Sequence, residues 1–260
     1  MIEEPYRWVD AIANRREYIE HQLSTGSPIV ALSYSEGILL FALGRERQKI
    51  FEIYDRIAMG GVGHPGDIER FRMAAIELAS AEGFTRSAHD VSLRRLVNYS
   101  LSPVLKAAFE QIYGAPHLAR MIFAELGRGS VSDLFVVLDY DGSIRTNGGP
   151  FGHPFQDFGC VSGTAHSSEL MQRFLSQNPT AGLGKDEALV IAAQAWSVGH
   201  LALADPDRTE LPPVDEITRH GREQLALTAI EAGVLERAAP TPVTWSAIPD
   251  AAIRPLLDSR

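Results

Sequence analysis

Ser27 is the candidate nucleophile of this sequence. It follows Gly26 and opens an apolar run, Pro28-Ile29-Val30-Ala31-Leu32-Ser33-Tyr34. A serine hydroxyl is a weak nucleophile at neutral pH and needs a base beside it. Read from the residues alone, Ser27 is a polar residue that starts a strand after a glycine. Lys49 begins a second strand-like run, residues 49–53. It reads either as a solvated strand-end lysine or as a point charge with three donors, suited to meeting a carboxylate from several angles.

The remaining chemically capable residues give weaker patterns. The eight histidines show no metal-ligand spacing, so no metal is expected. Gly148-Gly149-Pro150-Phe151-Gly152-His153 is Gly-rich but lacks the Gly-Lys-Ser/Thr ending of a phosphate loop, and reads as a long hairpin tip. Ser162-Gly163-Thr164 fits a helix cap. Asp205-Pro206-Asp207 reads as a loop, with calcium binding as the alternative. Cys160 is the single cysteine; no internal disulfide can form, which fits a reducing cytosol. No cofactor is expected.

Around these residues the elements fall into groups. Residues 6–23 predict a helix, with Trp8, Ile12, Ile19 and Leu23 at helical spacing; Gly26 and Pro28 end it. Residues 28–34 and 38–43 read as a strand pair joined at Ser35-Glu36-Gly37, and 49–53 with 57–62 as a second pair. A helix led by His64-Pro65-Gly66 carries Ile68, Phe71, Ala75, Leu78 and Ala79 and stops at Gly83. Ser87, with Asp90 three residues on, predicts the next helix start, and Pro103 a kink or break within it. Strands follow at 117–126, 131–140 and 155–161, then helices near 165–177 and 185–203. Residues 205–222, charged and containing Pro206, Pro212 and Pro213, read as a surface insertion or mobile loop. A strand at 225–235 and a short helix over 247–257 complete the chain. Strands grouped in runs argue against βαβ units. Two sheets packed face to face, each covered by a helix pair, use every element: an α+β, four-layer α-β-β-α sandwich in a single 260-residue domain.

The net charge of −9 gives no general attraction to nucleic acid or to an anionic membrane. The beginning, Met1-Ile2-Glu3-Glu4-Pro5, lacks the basic and apolar blocks of a signal peptide, and no apolar run reaches the roughly 18 residues of a membrane helix. A cytoplasmic protein is expected.

Three stretches carry a resemblance. They are Ser27-Pro28-Ile29-Val30-Ala31-Leu32-Ser33-Tyr34-Ser35-Glu36-Gly37-Ile38-Leu39-Leu40, then Gln48-Lys49-Ile50-Phe51-Glu52-Ile53-Tyr54-Asp55-Arg56-Ile57, then Tyr140-Asp141-Gly142-Ser143-Ile144. In order and spacing, over nearly the whole chain, the sequence resembles the α-type subunits of the 20S proteasome, most of all the actinobacterial kind. The resemblance implies the N-terminal-nucleophile hydrolase fold and a heptameric ring of this chain with itself. It also implies β-subunit rings that hold the proteolytic threonine, and docking of an ATPase activator ring. The helix at 6–23 matches the α-specific helix across the top of the sandwich. The Ser-Pro-Asp-Gly-Arg run that precedes it in archaeal and eukaryotic α subunits is absent.

The same resemblance weighs the site. Ser27 falls at the nucleophile position, but Leu43 falls where catalytic members keep an orienting Asp, the connection from Leu43 to Lys49 is short, and Pro28 directly follows the serine. A subunit without catalysis is therefore expected, with a self-processing serine hydrolase using Ser27 as the alternative. In catalytic relatives a Lys at the place of Lys49 tunes the nucleophile. In α subunits the matching Lys lies in the pocket between neighbouring subunits, where it pairs with the terminal carboxylate of an activator's C-terminal tail, and Gly63 and His64 match the backbone side of that pocket.

Overall fold

Alternate residues of the first strand face two different cores, which is why the run reads as continuously apolar. The computed structural model describes residues 5–44, 47–111, 113–147 and 156–258. In β1 (Ile29–Tyr34), Val30, Leu32 and Tyr34 pack beneath helices while Ile29 and Ala31 pack between sheets. The period of two along a strand dictates this division. β2 (Gly37–Gly44) repeats it, with Leu39, Phe41 and Leu43 toward the helices and Ile38, Leu40 and Ala42 toward the other sheet.

The two sheets have five strands each and pair antiparallel throughout. The second contains β3 (Ile50–Tyr54), β4 (Ile57–Gly63), β5 (Ala119–Glu125), β6 (Leu134–Leu138) and β7 (Ile144–Thr146), in that order. The first runs β10-β9-β2-β1-β8, adding β8 (Phe158–Val161), β9 (Ala229–Glu236) and β10 (Trp245–Ile248). α2 (Pro65–Thr85), α3 (Leu93–Arg95) and α4 (Ser102–Glu110) cover the outer face of the second sheet. α5 (Ala165–Gln177), α6 (Lys185–Ala204), α7 (Val214–Leu227) and α8 (Asp250–Asp258) cover that of the first. The result is the four-layer α-β-β-α sandwich. α6 is long and apolar enough by composition to cross a bilayer, but its apolar residues, Trp196 among them, lie in the core under the first sheet.

α1 (Pro5–Leu23) docks separately. Ile19 and Leu23 are buried with Phe109 and Tyr140. Beneath it Arg120, 2 % exposed, donates to Glu20 at 3.0 Å, to Asp139 at 3.0 Å, and to the carbonyls of Ser162 and Gly163 at 3.1 and 3.2 Å. The Tyr140 hydroxyl donates to the same Glu20 carboxylate at 2.8 Å. One buried guanidinium thus joins the helix to β5, β6 and the turn after β8.

Several elements differ from the sequence expectation. Residues 205–222 are not a loop throughout. Pro213, in extended conformation, caps α7, whose first turn carries Asp215 and Glu216 and which buries Ile217 and Leu225. Prolines stand outside the helix they precede, so they mark its start. The strand placed at 225–235 accordingly begins only at Ala229. α2 runs past Gly83 to Thr85, and Leu78 lies on its exposed side. Ser87 accepts a hydrogen bond from the His89 N–H and closes a turn rather than a helix. The helix starts at Leu93, whose N–H is met by Glu125 of β5 at 3.1 Å. Before Pro103 the backbone widens into a π-helical segment, Leu96–Leu101, where the Ser102 N–H reaches the Val97 carbonyl. That register takes up the bond and space that proline denies an α-helix, so the segment stays continuous. β7 and β10 were not anticipated. The hairpin tip at 148–153 and the segment before Pro5 lie outside the described residues.

Candidate functional site

The turn from α1 to β1 leaves no room for a side chain at Gly26. The Gly26 N–H donates to the Leu23 carbonyl at 2.8 Å, and the Gly26 carbonyl accepts from Gly163 at 2.8 Å. A Cβ on Gly26 would stand 2.1 Å from Val62 Cγ1, and one on Gly163 would stand 2.5 Å from the Leu23 carbonyl oxygen. Gly26 thus sits in a tight joint, with α1 anchored on one side and β1 in the sheet on the other.

Ser27 and Lys49 meet. The Ser27 hydroxyl donates to the Leu43 carbonyl at 3.2 Å, and the Lys49 ammonium contacts Ser27 Oγ. Leu43 offers only its backbone: its side chain lies in the core beneath the helices. Among the described residues no carboxylate bonds to either side chain. Burial pulls the Lys49 amine below the usual lysine range, and the charge of Glu231 opposes that shift.

Glu231, on β9, accepts from the Lys49 N–H at 2.8 and 2.9 Å and from the Ile50 N–H at 2.6 Å. This clasp joins the first sheet to the start of β3 in the second. Burial pushes the Glu231 carboxyl above its ordinary value, and the hydrogen bonds from Ile50 and Lys49 act against that.

Ser27, Leu43 and Lys49, but not Glu231, line a cavity of about 700 Å³. Arg47 and Lys49 supply two cations and Glu69 an anion. Leu23, Val62 and Ile68 give it apolar walls, with Trp196 and His200 of α6 and Gln224 of α7 on the far side. Arg47 is exposed and makes no hydrogen bond or ion pair among the described residues. His200 stacks on Trp196 at 4.7 Å and stands 2.9 Å, Nδ1 to Nε2, from His220.

Gly63 also lines the cavity. Its φ of +129° favours glycine, and a Cβ there would meet the Leu118 carbonyl oxygen at 2.1 Å. His64 follows it. Its ring is not in the cavity wall; Nδ1 accepts from the Gly66 N–H at 3.2 Å and caps α2. The fold thus brings Ser27, Lys49 and Gly63 to one cavity and puts the His64 ring outside it. The arrangement can hold an anionic group against Lys49 and Arg47 with apolar chain beside it.

Glu231, Arg47 and the Trp196–His200 wall escaped the sequence reading. The signal for Glu231 was an acid on a buried strand face: Ile230, Ala232 and Val234 face the helices, while Glu231 shares the face of Leu235 toward the other sheet. The other candidates resolve simply. Thr164 Oγ1 accepts from the Ser167 N–H at 3.1 Å and caps α5, as expected. Asp205 pairs with Arg208 at 3.5 Å. Burial pushes the Cys160 thiol up to about 12, so it is protonated and inert at neutral pH. Among the described residues no cluster of three His, Cys, Asp or Glu could hold a metal.

No family model matches the chain. It is 31 % identical over 228 residues to the protein of Frankia casuarinae named Proteasome subunit alpha, covering 87 % of this chain and 84 % of that one. The proteins of the same name from Geodermatophilus obscurus and Streptomyces griseus are 28 and 30 % identical, over 249 and 189 residues. Those alignments cover 94 and 72 % of this chain, and 77 and 66 % of the relatives.

Proposed function

This chain belongs to the family of proteasome alpha subunits, and from that premise we propose that it is a non-catalytic ring subunit of a cytoplasmic proteasome core. In this reading seven copies form a ring, the ring stacks on proteolytic β subunits, and an ATPase ring docks on its outer face to feed it proteins. The observation that supports the absence of catalysis is the packing of the leading helix. With α1 fastened through Arg120 and Gly26 locked against Gly163, an uncleaved chain keeps an amide where a catalytic member needs an amine. Leu43 offers no carboxylate to orient the pair. The ring would restrict entry to the degradation chamber.

Lys49 is read as the group that meets the terminal carboxylate of an activator tail, with Gly63 at the rim and the His64 backbone beside it. The cavity supports this reading by its two cations and apolar walls. Co-expression with the β subunit of the same genome, followed by a peptidase assay with and without the ATPase ring, tests it. Lys49→Ala is expected to remove stimulation and leave the barrel assembled. A charge-assisted contact of about 1.5–3 kcal/mol corresponds to roughly ten- to a hundredfold in tail affinity. Undiminished stimulation would remove Lys49 from this role.

The contact between Lys49 and Ser27 favours one second reading, a self-processing serine hydrolase. Loss of residues 1–26 from the mature chain, with unaided peptide hydrolysis, would establish it in place of the first.

A further inference from the structure

We propose that Glu231 is a positioning residue of this cavity: its carboxylate clasps the backbone N–H groups of Lys49 and Ile50 and so aims the Lys49 amine at a carboxylate entering from an activator. The proposal rests on the tail-docking reading above. Three hydrogen bonds of 2.6–2.9 Å fix the start of β3 from a strand of the opposite sheet. Lys49 sits where the backbone has just left residues 44–48 and has only begun its pairing, through its carbonyl to the Gly61 N–H at 3.0 Å. Without an acceptor on the other side, that first residue could turn and carry its amine out of the cavity.

The carboxylate also acts through space. Burial disfavours the charged form of Lys49, and a neighbouring anion favours it. An ammonium binds a carboxylate and a neutral amine does not hold it by charge. Binding is therefore present below the lowered value of Lys49 and lost as the pH rises through it. Removing the Glu231 charge lowers that value further, so the alkaline limb moves to lower pH. Among the described residues, the other ionisable groups at the cavity are Arg47, Glu69 of α2 and His200 of α6. They are common to every variant compared and cancel.

Two substitutions separate the clasp from the charge. Glu231→Gln keeps an acceptor for the N–H groups and removes the charge. Glu231→Ala removes both. The protein to use is the core particle assembled with its β subunit. The probe is an octapeptide reproducing the C-terminus of the ATPase from the same genome, as the free acid and as the C-terminal amide, titrated from pH 6 to pH 10. If the wild-type core does not prefer the acid, or Lys49→Ala keeps that preference, the docking reading falls and takes the proposal with it. Given that preference, Glu231→Gln is expected to bind as wild type at neutral pH and about tenfold more weakly on the alkaline limb, a displacement of one pH unit. Glu231→Ala is expected to bind more weakly across the range. Superimposable pH profiles for wild type and Glu231→Gln overturn the proposal and leave docking intact. Should the alanine variant fail to assemble, the glutamine variant decides alone.

Discussion

At the scale of the residue, the site is governed by glycines that admit close approach and by one lysine in a poor solvent. Gly26 touches Val62 and the turn carbonyls so closely that any side chain must displace them. Gly26→Ala is therefore expected to destabilise the fold by about 1–3 kcal/mol, the range for an overpacked position. A lowered midpoint in equilibrium urea unfolding, with the slope unchanged, checks it; an unaltered midpoint would mean that Val62 rotates away freely. In the proposed reading Ser27 is a residue at a catalytic address without catalysis. Its hydroxyl donates to the Leu43 carbonyl. A base and an orienting acid, not the hydroxyl itself, are what make such a serine reactive.

At the scale of the element, α1 is held less by its apolar stripe than by what lies under it. Trp8, Val9 and Tyr18 are exposed, whereas Ile19 and Leu23 at the end of the helix are fully buried. Arg120 joins that end to two strands and a turn. Arg120→Ala leaves Glu20 without its cation and Asp139 with only the longer contact to Arg145 at 3.9 Å, and costs about 3 kcal/mol, the low end for a broken buried pair because Glu20 is partly solvated. Hydrogen exchange is expected to rise in the last turns of α1 and through residues 24–26. Exchange confined to the substituted strand would show that the helix is held by other contacts. The strands of the central sheets were legible because both faces are buried, so 29–34 and 38–43 are continuous apolar runs. α7 was not, because its stripe contains only Ile217 and Leu225, eight residues apart, behind a pair of prolines. β10 is four residues with none fully buried. The Glu231 clasp joins residues 182 apart in sequence, and no local pattern points across that distance.

At the scale of the whole molecule, the sandwich has its core between the sheets and a second and third core beneath the helices on either side. The cavity at the start of β1 lies where α1, both sheets and α2 converge, so the leading helix and the proposed tail pocket share one structural junction. α1 and the turn after it serve that junction: Glu20 meets Arg120, and residues 23–26 pack against Gly163. The most direct test is the intact mass of this chain recovered from a peptidase-active particle co-expressed with its β subunit. The account predicts a mass that retains the α1 helix, with the Gly26–Ser27 bond whole. A mature chain that begins at Ser27 would contradict it.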